Sequence, residues 1–348
     1  MNILFIPPPY LDLYKDIESE LISMGHNVTT VVKGCISGHP FYKKQNPLKH
    51  LYLKLKWNIN KTSTKYWEKE LKKDIYNKRY DLLFVIQGLS FDPILLDHLR
   101  SFNPNIKTSL YIWDTNRMYD FFRNIDYFDK VYSFDYLDVE KFGGEKAEFL
   151  PFFWPKSILE LKDVNTEYEI SSVGTDHDGR FFIFKKVIEQ CKQRGKSFFI
   201  KIVNNKLPIN HSIKSRLLFK IYSLLNIQED FCEYHLLLNG SVKYDFVQTD
   251  YFSTQELNKI MAESKSILDT DNVLQHGTTP RLIWALALNK HVFTTNTNIV
   301  NLPFYNKDYI HIIDRDNPTI DFSVINTTVH SSDKVEYLRI DNWVNNFL

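Results

Sequence analysis

The chain has 348 residues, with 43 Lys plus Arg against 42 Asp plus Glu, a formal net charge of +1. This length predicts about two domains and a core that needs no disulfides or structural metals. The balance excludes a chain that is basic throughout, as many nucleic-acid binders are. Only 11 residues are glycine, about 3% against a typical ~7%. No two are spaced as G-x-G, and the Gly195-Lys196-Ser197 run lacks the first glycine of G-x-x-x-x-G-K-S/T, Gln190 standing in its place. The dinucleotide fingerprint and the Walker phosphate loop are therefore excluded. Cys35, Cys191 and Cys232 form no C-x-x-C and read as reduced thiols of a cytosolic protein. The first residues lack a basic, then long apolar, leader, and no apolar run is long enough to span a membrane. A cytoplasmic protein is expected, at most peripheral at the inner face of the plasma membrane.

Asn2 to Ile6 reads as a buried strand of a parallel sheet. A helix over about 13–24 follows, ended by Gly25, and then a strand over 27–32. Residues 41–79 hold eleven Lys and Arg79 against Glu68, Glu70 and Asp74, a net +9 that leaves −8 for the remainder. Within them Leu48, Leu51, Tyr52 and Leu55 recur at helical spacing between Lys49, Lys54 and Lys56, a short basic amphipathic helix. This segment is either a solvated face or a surface for anionic lipid or a lipid-linked acceptor; a nucleic-acid partner is not expected. Strands follow over 81–87, 108–113 and 130–135, with a helix over 93–101.

Pro151 to about Tyr168 reads as the connection between two halves, and the alternation then repeats. Strands are expected over 170–173, 198–203, 266–269 and 291–295, with helices over 180–194, 254–264 and 279–287. Residues 204–241 look helical and irregular. A possible capping box spans Ser253 to Glu256. The expected fold is α/β: two Rossmann-like domains, 1–155 and 156–330, facing across a cleft. A tail over 331–348 carries a short amphipathic helix expected to pack back on the N-terminal domain. Ligands of such folds lie beyond the carboxyl ends of the strands.

Three turns concentrate chemistry. In Gly174-Thr175-Asp176-His177-Asp178-Gly179-Arg180, a strand-end glycine lets backbone approach a ligand, the helix start favours phosphate, and Arg180 adds a clamp. The alternative is a plain strand-helix turn. In Gln275-His276-Gly277-Thr278-Thr279-Pro280-Arg281, hydroxyls and amides can hold a diphosphate. Arg281 either neutralises it or pairs with Asp269. Asp114, after a strand, is either a general base raised by burial or a helix cap. Asp176/Asp178, Asp269/Asp271 and Asp314/Asp316 match the D-x-D of metal-dependent sugar transferases, but three matches in an Asp-rich chain are weak evidence. No H-x-x-H occurs, which argues against zinc, and His26, His98 and His235 read as structural.

The blocks Leu110–Thr115 with Tyr127–Asp135, Ile170–Thr175 with Arg180, and Gln275–Arg281 with Phe293–Asn296 resemble bacterial GT-B glycosyltransferases of capsule and lipopolysaccharide synthesis. The echo continues through Phe304–Asn306 and Ile312–Arg315. The resemblance implies a nucleotide-sugar donor held by Gly174, Thr175 and Arg180 from one side. Gln275, Gly277, Thr278, Thr279 and Arg281 would hold it from the other. It places a glycan or lipid-linked acceptor near Pro9, Tyr10, Gln87 and Asp114. Metal-free transfer would rely on the arginines and helix starts, with Asp114, then Asp12 or His39, as base. One departure stands out: Trp284 occupies the position where relatives carry an acidic, ribose-binding residue. A catalytically degenerate, nucleotide-sugar- or glycan-binding relative is the alternative reading.

Overall fold

A computed structural model of the protein describes residues 1–8, 12–32, 48, 51, 71–88, 91, 93–117, 120–161 and 163–348. Two six-stranded parallel sheets form its two halves. The first contains β1 (Asn2–Ile6), β2 (Asn27–Thr30), β3 (Leu82–Ile86), β4 (Lys107–Ile112), β5 (Lys130–Ser133) and β6 (Ala147–Phe149). Its order is β2-β1-β3-β4-β5-β6. β3 is buried at every position, LLFVI, because helices cover both faces of such a sheet. The helices are α1 (Leu13–Ser23) and α2 (Pro93–Phe102). Gly25, at φ +84°, closes α1 in the left-handed region glycine adopts without strain.

The second sheet contains β7 (Tyr168–Thr175), β8 (Phe198–Val203), β9 (Val247–Gln248), β10 (Ser264–Asp269), β11 (His291–Thr294) and β12 (Ile310–Ile312). Its order, β12-β11-β10-β7-β8-β9, is the doubly wound order of nucleotide-binding domains. Its helices are α3 (Arg180–Gln193), α4 (Ile213–Leu225), α5 (Glu229–Leu238), α6 (Thr254–Ala262) and α7 (Pro280–Ala287). Ser253 and Glu256 form the full capping box at the start of α6. The expected pair of Rossmann-like domains is thus present. β9 and β12, two and three residues long, carry too little pattern to be read from sequence.

The domain junction is tied by three tryptophans. Trp154 Nε1 donates to Val335 O at 2.8 Å, Trp284 Nε1 to Phe153 O at 2.9 Å, and Trp343 Nε1 to Pro151 O at 3.0 Å. Trp343 belongs to α8 (Ile340–Val344), which packs on the first sheet. There Trp343 meets Tyr111 edge-on at 4.8 Å and Phe347 stacks on Phe84 at 4.6 Å. One hydrophobic cluster runs from Ile3 and Phe84 through Trp154 to Trp284 and Trp343, so the domains share a core. The crossing is also ionic. Lys156 bridges Glu20 at 2.8 Å and Asp341 at 3.3 Å, and Arg339 holds the Asp341 carboxyl down to about 2. Among the described residues, no helix is long and apolar enough to cross a membrane.

Candidate active site

Both sheets point their carboxyl ends at the junction. In the second sheet the order switches direction between β7 and β10, where doubly wound folds bind ligands. The turns after these two strands are the two Gly/Arg segments singled out in the sequence, and their side chains behave differently.

Arg180, 4% exposed, lies across the switch point. Nη1 donates to Thr175 O at 2.6 Å, Nε to Thr270 Oγ1 at 2.5 Å, and Nη2 to Thr270 O at 2.8 Å. Its guanidinium therefore joins the β7 and β10 turns. Gly174 is required by that guanidinium: a Cβ there would stand 2.6 Å from Arg180 Nη1. Burial and the nearby Arg281 charge push Arg180 down to about 9, so it remains cationic at neutral pH. Thr175 contributes its carbonyl to this tie.

The β10 turn is less committed. Thr279 caps α7, its hydroxyl oxygen accepting from Leu282 N at 3.2 Å. The same hydroxyl donates to Asp269 Oδ1 at 2.6 Å. Pro280 occupies the first turn of α7, where no amide donor is needed. Asp269, 1% exposed, also accepts from Thr294 Oγ1 at 2.9 Å and from Arg281 Nη1 at 3.3 Å. That long contact is the structural pairing foreseen for Arg281, and it engages one of five N–H donors. Burial lowers the Arg281 pKa and the Asp269 charge opposes that shift. Thr278 is 1% exposed and its Oγ1 has no hydrogen-bond partner, an uncommon state for a buried hydroxyl.

The start of this turn is seated on the first domain. Gln275 Nε2 donates to Asp114 Oδ1 at 2.8 Å, and His276 N to Asp135 Oδ2 at 2.8 Å. His276 Nε2 lies 2.6 Å from Arg117 Nη2. Gly277 packs so tightly against Phe134 that a Cβ would overlap its carbonyl and stand 2.5 Å from Cδ2. Among the described residues Asp114 caps no helix: the next described helical turn, Phe121–Tyr127, starts seven residues later and takes Asn116 Oδ1 on Phe121 N. Instead the Asp114 carboxyl faces the β10 turn. Burial raises its pKa, against the lowering bonds from Thr115 and Gln275, and the Asp138 charge raises it further.

Asp12, at φ +55°, pairs at 2.9 Å with Lys15, both well exposed. Gln87 follows β3 at φ +69°, a left-handed conformation that costs energy for a non-glycine residue and recurs at functional sites. Pro9, Tyr10, His39, Cys35 and most of 41–79 lie outside the described residues. Five of the six D-x-D aspartates have protein partners. Asp176 takes Asn204 and Tyr234, Asp178 takes His177, and Asp271 takes Arg315 and Thr295. Asp314 takes the amides of Asp316 and Asn317, while Asp269 is bonded as described. Sequence reasoning missed Asp135, Asp138 and Arg117 at the junction. In the sequence Asp135 stands out as the end of a strand and of a block that carries the resemblance, with no role attached.

No protein-family model matches the chain, and no curated protein matches its sequence. Solved structures do align over nearly its whole length. Sucrose-phosphate synthase from Thermosynechococcus elongatus shares 10% identity, with 99% of this chain and 92% of that one covered, at a TM-score of 0.49. An α,α-trehalose 6-phosphate synthase from Burkholderia multivorans shares 11% over 99% and 91%, at 0.45. A putative UDP-N-acetylglucosamine 2-epimerase from Listeria monocytogenes shares 10% over 100% and 91%, at 0.41.

Proposed function

We propose that this chain is a glycosyltransferase that moves a sugar from a nucleotide-sugar donor to a growing surface glycan of the capsule or lipopolysaccharide kind. One observation supports this above the others. Beside the switch point, three cationic or polar groups lie within residues 278–281: the largely uncommitted Arg281, the unpartnered Thr278 hydroxyl and the N-terminus of α7. Arg281 and Arg180 are close enough to depress the Arg180 pKa. An anion set between such groups relieves their repulsion and takes charge-assisted hydrogen bonds. A nucleoside diphosphate leaving a sugar develops its charge at its phosphates, so groups placed there stabilise the transition state. Thr278, Arg281 and the amides at the start of α7 would bind it, with Thr279 holding the cap and Gln275 and Gly277 holding the turn against the acceptor-side domain.

Asp114 is assigned as the base that takes the acceptor proton. Its carboxyl is raised by burial toward the working range of a general base. No divalent metal is required in this reading, because five of the six D-x-D carboxylates are already bonded within the protein. Activity retained in a chelator is the expected result. The acceptor's lipid carrier would meet the basic segment 41–79. Charge reversal of Lys49, Lys54 and Lys56 is expected to weaken binding to anionic vesicles.

A second reading, a non-catalytic nucleotide-sugar-binding relative, has its own observation. Trp284 stands where the resemblance expects a ribose-binding acid, and its indole is fully engaged with Phe153 O. A thermal-shift screen of UDP-, GDP- and CMP-sugars, followed by donor-turnover assays, separates the two. Stabilisation with turnover supports transfer; stabilisation without hydrolysis or transfer supports the second reading. No stabilisation by any nucleotide sugar overturns both.

A further inference from the structure

The insertion between β8 and β9 forms a hairpin of two helices, α4 and α5. One face of α4 is fully accounted for. Phe219 stacks on His235 at 4.3 Å, His211 stacks on the other side of His235 at 3.8 Å, and Tyr222 meets Phe231 edge-on at 5.4 Å. Those contacts fix α4 onto α5.

The opposite face is apolar and uncovered. Ile213 is 87% exposed, Leu217 59%, Leu224 85% and Leu225 60%. No residue of α4 is buried. At about 100° per residue, these side chains and Ile221 share one arc of roughly 120°. Lys220 and Arg216 border that arc on one side, and Lys214 lies at its other end. From residue 204 to 228 the chain has four basic residues and no acidic one. The nearest acids, Glu229 and Asp230, open α5. A helix with large apolar side chains outward and Lys/Arg along the edges suits the boundary of an anionic bilayer. There the apolar groups enter the acyl region and the cations reach the phosphates.

We infer that α4 is a membrane-docking helix, which lays its Ile213–Leu217–Leu224 face into the interface of an anionic lipid bilayer. The bilayer is chosen over a second protein copy by charge. A second copy of the same helix would bring Lys214, Arg216 and Lys220 against their own kind, whereas an anionic lipid surface complements them. This surface lies on the second domain and is independent of the segment 41–79 and of the donor chemistry.

The test is flotation of the full chain with vesicles of equal parts phosphatidylcholine and phosphatidylglycerol. Leu217→Gln with Leu224→Gln should lower vesicle affinity by about tenfold or more, with an unchanged melting temperature because both side chains are exposed. Lys214→Glu with Lys220→Glu should weaken binding similarly and abolish its salt dependence at this face. Unchanged vesicle binding in the Leu217/Leu224 variant overturns the inference. So does equal binding to pure phosphatidylcholine. Self-association in gel filtration that the Leu217/Leu224 variant abolishes, without vesicle binding by the parent chain, assigns the face to a second copy instead.

Discussion

The turn after β7 and the turn after β10 look alike as sequence: each leaves a strand through a glycine-containing polar loop and enters a helix at or near an arginine. In the folded chain they differ. Arg180 is locked by three hydrogen bonds to its own two turns, and Gly174 exists to make room for it. Arg281 has one long bond, next to a hydroxyl with no partner. The first turn is a brace and the second is a candidate binding surface. The lesson is that an arginine at a helix start says nothing about ligand binding until its donors are counted against nearby carbonyls.

The largest expected effect separates the two arginines. Arg180→Ala leaves the carbonyls of Thr175 and Thr270 without their donor in a buried place. Chemical denaturation should show a loss of about 4 kcal/mol. A loss below about 1 kcal/mol would mean that the three bonds of Arg180 do not brace the two turns.

The surface that the second turn meets can be tested next. Asp114→Asn keeps the acceptor oxygen for Gln275 and Thr115 but cannot take a proton. Transfer rates should fall ~10²-fold or more. The stability sign runs the other way. Because the Asp114 pKa is raised on folding, its ionisation opposes the fold. The cost is absent below the unfolded carboxylate range and is in full force above the folded pKa. The variant should therefore melt at the same or a higher temperature at neutral pH. The parent's rate should rise with pH above the ordinary carboxylate range, and the variant should lack that limb.

Gly277→Ala probes the seating of the second turn. Its methyl group would collide with the Phe134 carbonyl and ring, costing about 2 kcal/mol or loosening the domain junction, readable by small-angle scattering. Thr278→Val should have the smallest effect on stability, within ~1 kcal/mol and of stabilising sign, because it removes an unpartnered buried hydroxyl. A marked destabilisation would mean that the hydroxyl has a structural role.

Much of the fold was legible because its signals are local. The all-apolar β3, the Gly25 stop and the Ser253/Glu256 capping box each declare an element within a few residues. The junction was not legible, because it is built from distant pairings. Gln275 with Asp114 spans 161 positions and His276 with Asp135 spans 141. Trp284 marks the boundary between the two cases. Its oddity could be seen in the sequence, but its partner, the carbonyl of Phe153, is set by how the connecting segment crosses the domains. The outward face of α4 was equally hidden, since residues 204–241 read as helical and irregular and only the fold shows which apolar side chains stay uncovered.

The central claim is that the β10 turn holds the donor diphosphate, and calorimetric titration of Arg281→Ala with the nucleotide sugar that stabilises the parent chain tests it most directly. The predicted result is an affinity reduced about tenfold to a hundredfold. Undiminished affinity in a folded Arg281→Ala protein would contradict it.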